Sequence, residues 1–510
     1  MKSDTSATVS VWMEVDSIPD DGPLEQDLDV DVCVIGAGIA GVTTAYLLSK
    51  EGKTVAVLDD GGIGGTMTSR TTAHVVNVLD DRYYELERLH GDDGAKIAAA
   101  SHTAAIDTVE RIVREEGIEC ELERLDGYLF VPPGESTGEL EEELDACRRV
   151  GITEVEWADR APMESFDTGR CLQFRNQAQF HPIKYVVGLA KAIRGRGGKL
   201  HSGTHATKIE GGDPGRIETD RGAVVTARSV VVATNTPVND RVVMHTKQGP
   251  YITYVIGLKV PKGAITKALY WDTPDPYHYV RLTSAPNDPE HEILIVGGED
   301  HKTGQADDTE ERFGRLEAWT RERFASAGEV TYRWSGQVME PIDGMGYIGR
   351  NPWDEDNVYI ATGDSGNGMT HGTIAGILIT DLIMGRKNHW EKLYDPSRSP
   401  LRDLTEFVKE NVNVAAQYTD LATGGDVESE EEIPTGEGAV IREGLSKFAV
   451  YRDETGTAHK MSAICTHLGC VVKWNTTEKS WDCPCHGSRY DRFGKVFQGP
   501  ANSDLELAEE

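Results

Sequence analysis

The sequence predicts an α/β protein in which a dinucleotide-binding domain carries an antiparallel β substrate sheet and is followed by a small all-β domain. Three observations predict it: a glycine-rich turn between a buried strand and a helix in residues 30–59, aromatic and β-branched strands between Pro250 and Gly298, and two short Cys/His loops at 465–470 and 483–488. At 510 residues the length prior suggests about three domains. The expected boundaries are an N-terminal extension over 1–29, a nucleotide and substrate domain over 30–417, a linker over 418–432 and the small domain over 433–510.

Acidic residues outnumber basic ones by 85 to 52, a formal charge of −33, so nucleic acid and anionic membrane surfaces make poor partners. The first 25 residues lack a basic segment followed by an apolar one, and no apolar run approaches the ~20 residues a bilayer span needs. The expectation is a cytoplasmic protein. Cys33, Cys120, Cys147 and Cys171 follow no pattern and read as ordinary buried thiols.

The first element is a buried strand ending at Gly36. Gly38 allows close approach of a pyrophosphate, Gly41 lets the following helix pack on the strand, and that helix points its N-terminus at the phosphates. A second strand ends at Asp59, about 20 residues on, where a carboxylate meets ribose hydroxyls. This Rossmann-like fingerprint does not separate FAD from NAD. The rest of the chain favours FAD, because distant segments complete the nucleotide fold. Val230–Pro237 is a buried strand with a small polar turn, and Val358–Gly363 another, leading through a glycine-rich turn into an apolar helix over 373–384. Such a helix start aims free N–H groups at an anion.

This pattern, over roughly residues 30–390, resembles the D-amino-acid oxidase superfamily of FAD-dependent amine and amino-acid oxidoreductases, which includes glycine, sarcosine and gamma-glutamylputrescine oxidases. The resemblance implies that Gly36, Gly38, Gly41 and Asp59 bind the ADP half. It places Arg70, Thr71 and Thr72, in the loop Thr68–Ala73, beside the pyrophosphate or flavin, and Ala206 at an adenine contact. Gly363, Gly366, Gly368, Met369 and Thr370 then line the flavin ring. No cysteine lies between Cys171 and Cys465, and Arg70 stands where some relatives attach flavin through histidine, so non-covalent FAD is expected.

Between these segments, helical spacing of apolar residues runs over Arg82–Gly117 and Gly138–Arg149, and His181-Pro182 opens a helix to about Ile193. Tyr251–Leu258, Tyr277–Leu282 and Glu292–Gly297 read as antiparallel strands, which in the resembled family roof the flavin. Arg281 with Tyr251, Tyr254, Tyr277 or Tyr279 can clamp a substrate carboxylate, since a guanidinium fork matches it bidentately; cross-strand packing is the competing reading. Glu299–Lys302 can bring His301 or Lys302 to the flavin, or form a surface hairpin turn. The stretch from Trp334–Gln337 through Pro341–Gly349 is expected to lead back under the flavin, with no catalytic residue assigned. Ser399-Pro400 is expected to cap a helix to about Gln417, and Thr423–Glu432 reads as linker.

In the last segment, a Cys-x-His and a Cys-x-x-His suit a [2Fe–2S] centre with two thiolates on one iron and two imidazoles on the other. A structural zinc site is the alternative, though zinc does not call for one further cysteine per loop. The loops, with Ser488 and Tyr490 behind them, closely resemble the Rieske proteins of respiratory and photosynthetic cytochrome complexes. That resemblance implies Cys465, His467, Cys483 and His486 as ligands, a Cys470–Cys485 disulfide, and hydrogen bonds from Ser488 and Tyr490 to sulfur that raise the cluster's potential.

A hydride acceptor beside a one-electron carrier suggests oxidation of a small amine or amino acid at FAD, with electrons relayed singly through the cluster to an unidentified acceptor. Flow in the opposite direction, or a non-catalytic electron-transfer or redox-sensing module, are the alternatives. A Rieske oxygenase is disfavoured, since no domain fits its mononuclear iron site.

Overall fold

The computed structural model describes residues 7–15, 18–163, 165–239, 244–399 and 404–508. Strand Leu28–Ile35 is buried without interruption from Val32 to its end, the pattern of a strand covered on both faces. It lies in the middle of a sheet whose parallel strands run Lys199–His201, Val55–Leu58, Leu28–Ile35, Val224–Val232 and Val358–Thr362, with Tyr347–Arg350 antiparallel at the edge. From Leu28–Ile35 the chain leaves to one side through Val55–Leu58, while Val224–Val232 occupies the other. A crevice therefore opens at the carboxyl ends of these strands, where open α/β sheets bind ligands. Helices Ile39–Lys50 and Gly368–Ile383 pack together on one face. A Cβ on Gly372 or Gly376 would come within 2.6 Å of Ile39 or Thr43, so glycine permits that approach.

The second sheet runs Val330–Pro341, Gln248–Pro261, His291–Lys302, His278–Ser284, Leu269–Asp272, Glu123–Phe130, Cys171–Gln179 and His74–Val75. It is antiparallel except between Leu269–Asp272 and Glu123–Phe130. Tyr254, Ile256, Val280, Leu294 and Val296 pack in one core with Phe313 and Leu316 of helix Thr309–Arg323, and alternate residues face the other way. The alternation breaks near the end of His291–Lys302. Tyr254 pairs with Gly298 and Ile252 with His301, so two steps on one strand oppose three on the other, and Glu299 sits at φ +61°. This bulge exchanges the faces of the residues beyond it.

The helix expected over 82–117 forms as Tyr83–Glu116, with non-helical backbone at Gly91, φ +72°. Gly138–Val150 and Pro182–Gly195 follow, the latter with Pro182 in its first turn and His181 accepting from the Lys184 amide. Gly368–Ile383 begins five residues before the expected start at Thr373. Leu404–Gln417 is helical, and Pro400, the expected first-turn residue, lies outside the described residues. No helix among the described residues is long and apolar enough to cross a membrane.

The C-terminal segment builds two small antiparallel sheets: Glu437–Glu443, Ser446–Arg452 and Ala458–Ser462 in one, and Lys473–Asn475, Ser480–Asp482, Arg489–Asp491 and Val496–Gln498 in the other. Their shared core contains Trp481, Tyr490 and the four cysteines of the two loops.

Candidate functional site

An elongated cleft occupies the crevice. Its floor is backbone. Gly36 has φ +97°, and a Cβ there would lie 2.3 Å from the Ala233 carbonyl oxygen; one on Gly41 would lie 1.9 Å from Gly36 O. Helices Ile39–Lys50 and Gly368–Ile383 start at Gly38 and Asn367 without a side-chain cap, and both starts line the cleft, giving two helix N-termini for one anionic ligand. Asp59 accepts from the amides of Ala37 (2.7 Å) and Gly61 (2.9 Å). Burial, followed by the neighbouring Asp60 carboxylate, pushes Asp59 up to about 7. A glycine cradle, two helix N-termini and a carboxylate at the second strand fit a dinucleotide.

Of the expected nucleotide residues, Gly36, Gly38, Asp59, Arg70, Thr71, Thr72, Ala206, Gly363, Gly366, Gly368 and Met369 line this cleft. Gly41 packs helix against strand instead. Thr370 turns away, pairing with His102 Nδ1 at 3.0 Å and donating to Asn367 O. The Arg70 guanidinium does not reach for phosphate: it donates to Ser335 O and Thr8 O and pairs with Glu478 at 3.3 Å.

At the other end of the cleft, Trp271, Tyr277 and Tyr279 wall a space containing Asp80 and Asp300. Tyr277 donates to Asp80 at 2.8 Å, and the Tyr279 and Thr253 hydroxyls lie 2.6 Å apart. Asp300 Oδ1 is buried with no hydrogen-bond partner among the described residues. Burial pushes the Asp300 carboxyl up to about 7 and raises Asp80 as well.

Five residues expected at this end lie elsewhere. Arg281 is no carboxylate clamp: it is 2 % exposed, donates to the carbonyls of Thr72, Ala73 and Phe180 at 2.8–3.1 Å and lies over the Trp12 ring. Tyr254 faces the opposite core, its hydroxyl 2.9 Å from His301 Nε2. His301 lies on that same face because of the bulge at Glu299, which turns Asp300 inward in its place. Lys302 pairs with Glu410 at 2.6 Å, and Tyr251 also reaches Glu410. Of the residues the sequence offered for the substrate side, Tyr277 and Tyr279 line the cleft. Asp80 and Asp300 were not singled out from sequence.

In the C-terminal domain the two Cys/His loops close in the same way. Gly469 N donates to Cys465 O and Cys465 N to Cys470 O, while Gly487 N donates to Cys483 O and Cys483 N to Ser488 O. A Cys470–Cys485 disulfide joins them, with Cα atoms 6.4 Å apart. The Sγ atoms of Cys470, Cys483 and Cys485 lie within 4.8 Å of one another, but the disulfide consumes two as ligands. That leaves Cys465, Cys483, His467 and His486, with the imidazole centroids 5.0 Å apart. His486 Nδ1 is buried without a hydrogen-bond partner, and burial holds this ring neutral, its pKa down to about 3, the form that ligates metal. Cys465 falls to about 6, chiefly through hydrogen bonding from Cys483, with Tyr490 and Ser488 contributing. The Tyr490 hydroxyl is 3.2 Å from Cys465 Sγ, and Ser488 Oγ accepts from Ala501 N. These donors fit a two-thiolate, two-imidazole centre with hydrogen-bonded sulfur.

The sequence matches the family of FAD dependent oxidoreductases over residues 31–382 and the Rieske [2Fe-2S] domain over 425–508. The chain belongs to the FAD-dependent oxidoreductase family. It carries a C-terminal Rieske domain, and its cofactors are FAD and a [2Fe–2S] cluster. It is 31 % identical over 98 % of its length to the Rieske 2Fe-2S iron-sulfur protein YhfW of Bacillus subtilis, covering 97 % of that protein. It is 27 % identical to the gamma-glutamylputrescine oxidoreductase of Escherichia coli, over 71 % of this chain and 85 % of that one. Its fold is similar to that of glycine oxidase from Geobacillus kaustophilus, with TM-score 0.62 and 16 % identity over 73 % of this chain and 99 % of that one.

In this FAD oxidoreductase the Rieske domain is part of the cleft. Val496, Phe497, Gln498, Gly499, Ala501 and Asn502 form one of its walls. Asn502 donates to Ala206 O at 2.9 Å, and His205 Nε2 lies 3.2 Å from Asn502 O. His245, from the segment before strand Gln248–Pro261, sets its ring 4.7 Å from that of His467 and 5.9 Å from that of His486. Gln337, 2 % exposed, lines the cleft, donates to Gly487 O at 2.9 Å and accepts from Gln498. No sequence motif marks His245 or Gln337, because their significance lies in contacts with residues more than 140 positions away.

Proposed function

We propose that this protein oxidises a cationic amine and passes the electrons singly through the [2Fe–2S] cluster to an external one-electron carrier. The observation that carries this reading is the shared wall: residues 496–502 of the Rieske domain close the same cleft that holds the flavin-side residues. FAD, when bound, takes up the hydride equivalent of a C–H bond beside nitrogen and gives up electrons one at a time. The Rieske ligands assigned are Cys465, Cys483, His467 and His486.

The residues of the substrate end favour a cation over an amino-acid carboxylate. Arg281, the candidate clamp, directs Nη1 to three backbone carbonyls and does not line the cleft, while Asp80 and Asp300 face a space walled by Trp271, Tyr277 and Tyr279. Aromatic faces attract a desolvated cation, and a carboxylate opposite completes its neutralisation. Asp300, raised to about 7, is suited to take a proton from a bound ammonium at Oδ1, since a base works best with a pKa near the operating pH. The neutral amine then loses a hydride from carbon, leaving an iminium that water converts to a carbonyl compound and a free amine or ammonia. Asp80, held by Tyr277, neutralises a second cationic group.

The test is an anaerobic titration of the loaded protein with diamines, monoamines and amino acids, following flavin bleaching and the cluster's reduced EPR signal together. Diamines should bleach the flavin first, with the cluster signal following. If amino acids did so and diamines did not, the cationic reading would fail. If no amine reduced either centre while dithionite reduced both, amine oxidation itself would fail.

A further inference from the structure

We infer that Gln337 is the coupling residue through which electrons pass between the flavin cleft and the Rieske cluster. The inference rests on the relay proposed above and adds its route.

Gln337 lies on strand Val330–Pro341, where Ile252 is its partner in the sheet. Its side chain is buried, and all of its amide is used. Nε2 donates to Gly487 O at 2.9 Å and lies 3.3 Å from Thr303 Oγ1, while Oε1 accepts from Gln498 Nε2. Its backbone N–H donates to Met67 Sδ at 2.9 Å, and Met67 also lines the cleft. Gly487 directly follows His486, so one hydrogen bond and the backbone of one residue connect a wall of the cleft to a ligand of the cluster. The approach is close: a Cβ on Gly487 would meet Gln337 Nε2 at 2.6 Å and Pro250 Cβ at 2.5 Å.

A second connection reaches the ligands through ring contacts. His245 sets its ring against both ligand rings and lies 3.3 Å from Thr236 Oγ1, and Thr236 directly follows Asn235, which lines the cleft. A third link gives a control. Gln305 donates to Pro484 O at 3.1 Å and to Asn413 Oδ1 at 2.7 Å, crossing to the same cluster loop from the same domain, yet it does not line the cleft. Gln305 and Gln337 thus make similar docking bonds, and Gln337 alone also borders the cleft.

Each transfer moves one electron from reduced flavin to the oxidised cluster. The two electrons of a hydride therefore leave in two steps, its proton goes to solvent, and an external one-electron carrier reoxidises the cluster. The test needs no substrate. Full-length protein loaded with FAD and cluster is given less than one electron by photoreduced 5-deazariboflavin, and re-equilibration between the flavin and cluster absorption bands is timed in wild type, Gln337→Leu and Gln305→Leu. Cluster EPR and both midpoint potentials are recorded for each.

The expected result is a rate constant at least about tenfold lower in Gln337→Leu, equivalent to ~1.4 kcal/mol of barrier, with EPR and potentials as in wild type and Gln305→Leu unaffected. Equal slowing in both variants would assign Gln337 to docking alone and overturn the inference. An unchanged rate in Gln337→Leu would overturn it too, leaving the relay intact. If wild type showed no exchange between the centres, the relay reading would itself fall.

Discussion

Glu478 offers the sharpest test of how the Rieske domain is held. It sits in the turn before strand Ser480–Asp482, and its carboxylate is fully buried against Arg70, both side chains being 0 % exposed. Glu478 Oε1 accepts from Ser335 Oγ and Thr8 Oγ1, each at 2.6 Å, and from Ser335 N at 3.2 Å. Glu478→Ala removes a buried carboxylate from its pair with a buried guanidinium and leaves a buried amide without this acceptor. Breaking a buried pair by removing one partner costs about 3–5 kcal/mol. The readout is hydrogen exchange at the Ser335 amide, whose protection should fall by roughly two to three and a half decades at 1.4 kcal/mol per decade. Replacing both partners, Arg70→Met with Glu478→Leu, should restore most of the loss, because no charge then remains unpaired. A fall of less than about 0.5 kcal/mol in Glu478→Ala, the range of an ordinary surface substitution, would refute the buried-pair account.

Other consequences follow from the same geometry. Asp300→Asn should depress amine-dependent flavin reduction by about 10²- to 10⁴-fold, the usual contribution of a general base, and should abolish a rise in kcat/KM through about pH 7 seen in wild type. In the apoprotein, Asp81 and Asp300, raised to about 7 by burial, keep protons that the unfolded chain releases near 3.8. Their contribution to stability is therefore present below that value and lost as pH rises through 7, which denaturant titrations from pH 4 to 8 will show. Gly36→Val places a side chain at φ +97° against Ala233 O and should eliminate FAD retention on gel filtration. Cys470→Ala with Cys485→Ala removes a cross-link of separation 15 and should destabilise the Rieske domain by about 3 kcal/mol, measured by denaturant unfolding followed at the cluster absorbance.

The sequence by itself determined what depends on neighbours along the chain. Strand, glycines, helix and Asp59 fall within one short stretch, and each has a local physical reason: close backbone approach, a free helix end, a carboxylate at a strand end. The Cys/His loops are likewise local, since ligand spacing constrains chemistry directly. Tertiary structure decided what depends on strand register and domain docking. A single bulge at Glu299 exchanged the faces of Asp300 and His301, so the structure puts the carboxylate at the cleft where the sequence offered His301 or Lys302. Arg281 has the chemistry of a clamp, but packing over Trp12 with Nη1 against three carbonyls keeps it out of the cleft lining. Arg70, Gln337 and His245 meet Glu478, Gly487 and His467 only because the Rieske domain packs against the cleft. Such contacts have no local signature, because each joins residues brought together by two separately folded cores.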